Sequence, residues 1–249
     1  KLRKLVDTTL RQAAACDHAM ASSTWQAAEA SRRKADEMVA SGLAGKFNFQ
    51  ANTAEMIALR AHYGIPKYGA QATTSPEAQG AMAVTAITSG VSRVASMRVP
   101  MNDAHYDDWA TDHGPSQERG FNVVSRMLED LEKRKYPGGG TWLDHTTVIG
   151  FSEFQRTAMV NQRGGRDHSL TNACFVAGAG IKGGTVIGKS DDIGLAPTMT
   201  NLGDGQTDKS NGEVIKPEHI YRTLFHDIGI TKDIADLRVE PVKAMLKKA

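Results

Sequence analysis

Apolar positions recur at helical spacing through the first third of the chain. Leu2, Leu5, Val6 and Leu10 open a stretch to about residue 44 that contains no Pro and is rich in Ala, Glu, Lys, Arg, Gln and Met, a composition of good helix formers. Two helices are expected there. They meet near Ser22-Ser23-Thr24, whose hydroxyls suit an N-cap, and the second ends near Ser41-Gly42. A third runs from Asn52 or Thr53 to about Tyr63, with Gly64 as its stop and Pro66 beyond. Pro66 to Thr74 reads as a connector. Ser75-Pro76-Glu77 then supplies a cap, a proline at the first helical position and an early acid, predicting a helix to about Ser89-Gly90.

Beyond this the period changes. Val91–Val99 reads as a strand, Pro115 to about Lys135 as an amphipathic helix with Val123, Val124, Met127, Leu128 and Leu131 on one face, and Thr146–Phe151 as a short strand apolar on both faces. Strand, helix and strand in that order predict a parallel pair with a right-handed crossover. Gly138-Gly139-Gly140 is the loop returning to the sheet. A third strand, Ala173–Ala177, should run antiparallel to Thr146–Phe151 if His168 belongs to a site at the end of that strand, because only four residues separate His168 from Ala173. Gly178 to Gly183 matches the spacing of a dinucleotide fingerprint, but Gly184–Gly188 reads as a turn into another short strand, not as the helix that fingerprint requires. Lys189 to Gly212 is a long polar surface loop, Pro217 to about Asp227 a last helix, and Lys232 to Ala249 a further amphipathic stretch with a basic end, read as a solvated tail packed at the edge. The expectation is an α/β fold, a mostly parallel sheet flanked by helices. Residues 1–74 form a helical segment packed on a core of residues 75–249.

Composition narrows the partners. The 249 residues carry a formal net charge of +2 with acids and bases interspersed, so no nucleic-acid footprint and no polybasic membrane patch stand out. No apolar run approaches the roughly 20 residues of a membrane span, and no signal peptide is read at the start. Cys16 and Cys174 are too few for a disulfide framework or a zinc knuckle and read as small core residues.

The candidate chemistry gathers around the strand Thr146–Phe151. Glu153 sits where that strand ends, the place where ligands collect in open α/β sheets. Gly164-Gly165-Arg166-Asp167-His168 then sets a carboxylate beside an imidazole, donors that suit Zn, Fe or Mn. A second group of acids and imidazoles lies between Asp103 and His113, leaving the first strand at the same end of the sheet if the pair is parallel.

The ordered series Ser152-Glu153-Phe154-Gln155-Arg156-Thr157, Gly164-Gly165-Arg166-Asp167-His168 and Val176 to Gly188 resembles the DUF1501 family, in the alkaline phosphatase and sulfatase superfamily. The resemblance implies an alkaline-phosphatase-like fold, a secreted or periplasmic bacterial protein, and a divalent metal, zinc foremost. Related proteins carry Gly-Gly-Trp-Asp-Thr-His near Asp107 to His113. By that match His113 is a ligand, with Asp112 and Asp108 competing for the acid. The ligand set expected is therefore Asp108, Asp112, His113, Glu153, Asp167 and His168. The resemblance covers only the later part of a family domain. It implies that an upstream segment, a second polypeptide or a neighbouring copy completes the sheet.

Two functions remain open: a metal-dependent hydrolase of phosphate or sulfate esters, and a catalytically degenerate relative used for binding or assembly. Phe154 stands where the two-zinc enzymes of the superfamily have an imidazole, and a phenyl ring binds no metal. No Ser-His-Asp arrangement replaces the nucleophile that those enzymes carry earlier in the domain, so no catalytic residue is assigned.

Overall fold

Thr53 and Ser75 begin helices as their residue types demand. A computed structural model describes residues 5, 8–9, 19–99, 103–106, 109–192 and 195–247, in two units that divide between Ser96 and Met97. In the first unit α1 (Ala19–Ala40) is followed by α2 (Ala54–Tyr63) and α3 (Pro76–Thr88), with single helical turns at Leu43–Lys46 and Gln71–Thr74. The Thr53 hydroxyl accepts from the Met56 N–H at 3.2 Å, and Gly64 closes α2 at φ 74°, a left-handed position that glycine adopts without penalty. The Ser75 hydroxyl accepts from Ala78 N–H at 3.2 Å, with Pro76 at the first turn of α3.

Met56, Leu59 and Tyr63 of α2 and Ala78, Ala81 and Val84 of α3 are buried as these two helices pack. The Arg60 guanidinium is buried with them and donates to the carbonyls of Phe49 and Ala51, tying down the chain that leads into α2. The helix break expected at Ser22–Thr24 is absent, since α1 runs through it. Alanine-rich flanks favour continuing a helix over stopping it at a serine.

The second unit holds α4 (Gly114–Lys133), β1 (Thr147–Gly150), β2 (Gln155–Arg156), β3 (His168–Ser169), β4 (Phe175–Gly178) and α5 (Pro217–Asp227). After α4 the chain doubles back at once: Trp142 N–H donates to Arg134 O at 2.9 Å and Tyr136 N–H to Gly140 O at 3.1 Å. A 3-10 turn at Trp142–His145 then feeds β1. β1 and β4 are antiparallel, Ile149 facing Val176 and Val148 facing Ala177. Ile149 and Val176 pack on a core of Ile220, Val242 and Met245, joined by Ile187, Leu202 and Ile215. Phe175 meets Phe121 of α4 at 6.1 Å between ring centres.

The antiparallel pairing of the strand after His168 with Thr146–Phe151 agrees with the spacing argument. The α/β class does not. Among the described residues there are two two-stranded antiparallel sheets, β1–β4 and β2–β3, in a largely helical chain, not the mostly parallel, alkaline-phosphatase-like sheet expected. The missing element is Val91–Val99, which forms no strand, so there is no parallel pair with Thr146–Phe151. Val91 and Val94 are exposed, Arg93 interrupts the face that Val91, Ala95, Met97 and Val99 would share in a strand, and the Ser92 hydroxyl bonds the backbone of Val94 instead. Such local bonds compete with a ladder, and β propensity counts only where a partner edge exists.

Three smaller expectations also change. Gly184–Gly188 forms no strand, and Cys174 is exposed, while Cys16 lies outside the described residues. The stretch after Lys232 does more than pack at the edge: Val242, Met245 and Leu246 are buried, the first two in the core of the second unit.

Thr223 joins that core to α5. Its side chain is 0% exposed, and its hydroxyl donates to His219 O at 2.6 Å while accepting from Val242 N–H at 2.8 Å. Thr223→Val keeps the shape and strands the Val242 N–H, a loss of about 1–3 kcal/mol. The urea midpoint should fall with an unchanged slope.

The turn before β1 is set by Asp144, whose carboxylate accepts from both the backbone N–H and the hydroxyl of Thr141 at 2.8 Å. The backbone bond first, then the hydroxyl, hold its pKa below 3.8. A depressed folded-state pKa means the contribution is complete above the ordinary Asp range and is lost as pH falls through the lowered value. Wild type should therefore exceed Asp144→Asn in stability at neutral pH, and the gap should close on acidification below 3.8, as read by urea unfolding at each pH.

Candidate metal centre

β2 and β3 are two-residue strands that bracket a loop. Gln155 faces Ser169 and Arg156 faces His168 across the ladder, and residues 157–167 close between them. Thr157 N–H donates to Asp167 O at 2.9 Å and Asn161 N–H to Gly165 O at 2.8 Å. The Asn161 side chain ties the loop from inside. Its carbonyl accepts from Arg163 N–H and Gly165 N–H, and its amide donates to Asp167 Oδ1 at 2.9 Å and to His105 O at 3.2 Å.

The segment 103–106 lies against this loop. Arg166 N–H donates to Ala104 O at 2.8 Å, and Tyr106 bridges Gly164 in antiparallel fashion. Gly165 makes the approach possible: a Cβ there would sit 2.1 Å from the carbonyl carbon of His105 and 2.3 Å from Tyr106 N. Only the residue without a side chain fits.

Three side chains then converge. One potential ligand atom from each of Asp103, His105 and His168 lies within 4.8 Å of the other two, with His105 Nε2 at 3.0 Å from His168 Nε2 and 3.3 Å from Asp103 Oδ1. Ligands on a tetrahedral Zn at roughly 2.0–2.1 Å stand about 3.3 Å apart. The donor set, two imidazoles and a carboxylate, suits Zn, Fe or Mn.

The surroundings orient these donors. His105 Nδ1 lies 3.1 Å from Asp167 Oδ1, and an ionised carboxylate can only accept, so Nδ1 is the donor. In the neutral imidazole Nε2 then presents its lone pair to the other two ligands, the arrangement in which a carboxylate fixes a ligating histidine. The His168 ring is stacked on Phe154 at 3.7 Å and 22°. The Asn161 amide, then the His105 imidazole, hold the Asp167 carboxyl below its ordinary range. The Arg156 guanidinium, which donates to Asp103 Oδ1 at 2.7 Å, does the same for Asp103.

Of the residues expected from the sequence, His168 is one of the three and Asp167 holds His105. Glu153 and Asp112 are exposed and belong to no such group. His113 is stacked on Trp109 at 4.3 Å, and Arg166 lies over the same indole at 4.5 Å. Asp108 lies outside the described residues. Asp103 and His105 were missed, although Asp103-Ala104-His105 carries a usable signal. Residues two apart in an extended segment share a face.

Fold and site together define a protein with more helix than strand, in which two histidines and a carboxylate that could hold a metal ion meet where segment 103–106 lies against a small β-hairpin. The chain belongs to the family described as protein of unknown function (DUF1501), whose model matches residues 3–204. No curated protein and no solved structure matches it. No helix among the described residues is long and apolar enough to cross a membrane.

Proposed function

We propose that the chain is a metal-dependent hydrolase of phosphate or sulfate esters, with Asp103, His105 and His168 as the ligands of one divalent cation, zinc foremost. The convergence of those three donors around an imidazole whose tautomer is fixed by Asp167 carries the reading. A cation there would polarise an ester oxygen and favour ionisation of a water. Arg156 brings a planar pair of N–H donors to the same place, the group best matched to a phosphate or sulfate. With three protein ligands, a tetrahedral shell keeps one position for water or substrate, as catalytic sites do.

One observation favours a second reading. Arg156 already donates to Asp103 at 2.7 Å and lies 3.1 Å from His105 Nε2, so the cluster is internally satisfied as an ionic network. That is the arrangement expected of a family member kept for binding or assembly. Protein reconstituted with zinc, then with manganese, should hydrolyse an aryl phosphate or an aryl sulfate, and lose that turnover on chelation and in His105→Ala. Bound metal without turnover of either ester would favour the second reading.

A further inference from the structure

We infer that Arg156 is a two-position residue, a guard of the ligand atoms when no metal is bound and the anion-recognition residue of the site when one is. The inference rests on the metal centre proposed above and concerns how that centre is filled and what it selects.

The geometry sets up a direct competition. Arg156 Nη1 lies 3.1 Å from His105 Nε2, and Nη2 lies 2.7 Å from Asp103 Oδ1. His105 Nδ1 faces Asp167, so a neutral His105 has one remaining lone pair, on Nε2. That lone pair cannot serve a guanidinium and a metal together. A cation on Asp103, His105 and His168 must therefore break the Arg156–His105 contact, and its charge repels the guanidinium beside Asp103.

Arg156 cannot leave far. Its side chain is only 13% exposed, Nη1 also donates to Arg166 O at 3.2 Å, and Cζ lies 5.4 Å from the centre of the Phe154 ring. Neither of those last two contacts belongs to a metal ligand. They hold the displaced guanidinium at the rim of the site, with the N–H that faced His105 left without an acceptor. A mostly buried cation with unsatisfied donors is costly, and an oxyanion on the metal relieves it. Filling the site thus creates the site's affinity for a tetrahedral oxyanion, and the same residue lowers the affinity for metal alone.

Cobalt(II) titration followed by visible absorption tests this, using the whole chain as wild type, Arg156→Gln and Arg156→Lys, with inorganic phosphate added afterwards to the cobalt-loaded protein. Removing charge-assisted hydrogen bonds that compete with the metal should tighten cobalt binding in Arg156→Gln by roughly tenfold or more. Phosphate should perturb the cobalt spectrum of wild type at a concentration at least about tenfold lower than in the variant. Arg156→Lys, a point charge without the fork, should fall between the two, and carries the test if Arg156→Gln does not fold. An Arg156 that merely props up the hairpin would give the opposite sign, weaker cobalt binding on substitution. Cobalt binding that is unchanged or weaker in both variants overturns the inference and leaves the metal centre standing. Tighter cobalt with unchanged phosphate response overturns the anion-recognition half. If wild type and both variants all fail to bind cobalt, the metal centre itself is wrong.

Discussion

His105→Ala should abolish stoichiometric metal binding while leaving the protein folded. His105 is the hub of the cluster, since its two nitrogens face Asp167, His168, Asp103 and Arg156 at 3.0 to 3.3 Å. Removing it deletes one ligand and separates the others from their common partner. Loss of a group that only orients a ligand costs roughly 10–100-fold in metal affinity, so loss of the ligand itself should exceed that. Asp167→Asn supplies the graded comparison, with a loss in the 10–100-fold range, because an amide accepts a weaker hydrogen bond from Nδ1 than a carboxylate does. Both residues are far from the Ile220, Val242 and Met245 core in character, being exposed or half-exposed, so the urea midpoint should change little. Equal affinity in wild type and His105→Ala, measured by competition with a chromogenic chelator, would remove His105 from the site.

Gly165→Ala should have the second large effect, on the site and on local stability together. The added methyl would meet backbone atoms of His105 and Tyr106 at 2.1 to 2.4 Å, and no rotamer change can move a backbone away. The 157–167 loop and the 103–106 segment must part. The Arg166–Ala104 hydrogen bond and the Tyr106–Gly164 bridge go with them. Overpacking of this kind costs about 1–3 kcal/mol and occasionally more. Asp103 and His105 would then be carried away from His168, so metal affinity should drop as far as in His105→Ala. Amide exchange localises the effect: residues of the hairpin and of segment 103–106 should lose protection while β1, β4 and α5 keep theirs.

The elements that could be read from the sequence are those whose cause is local. Thr53 and Gly64 bracket α2, Ser75 and Pro76 open α3, and Pro217 opens α5, because caps and prolines act on the turn they occupy. The β1–β4 pairing followed once His168 was placed at the end of Thr146–Phe151, since the short path to the next strand then sets its direction. What failed depended on distant partners. Val91–Val99 has strand-like residues, but pairing needs an edge that no stretch of sequence announces. Val242 and Met245 look like the end of a polar tail until Ile220 and Ile149 are placed against them.

The site divides the same way. His168 was legible because the glycine-rich turn sets it beside a carboxylate, whereas Asp167, expected as a ligand, lies against His105 Nδ1 instead. Asp103 and His105 were not singled out, because the choice within Asp103–His113 followed the resemblance toward Asp108, Asp112 and His113. What places Asp103 and His105 is contact across more than fifty residues, with Arg156 Nη2 on Asp103 (53 apart) and His168 on His105 (63 apart). Gly165 is the sequence clue to that contact, yet a glycine in a polar loop has many ordinary explanations. Only the space left for its Cβ singles it out.

Metal content decides whether Asp103, His105 and His168 form a metal centre at all. Protein purified without chelator, then loaded with zinc and dialysed, should retain one transition-metal ion per chain by elemental analysis, and His105→Ala and His168→Ala carried through the same steps should retain almost none. Wild type that retains no more metal than the two variants would contradict the account.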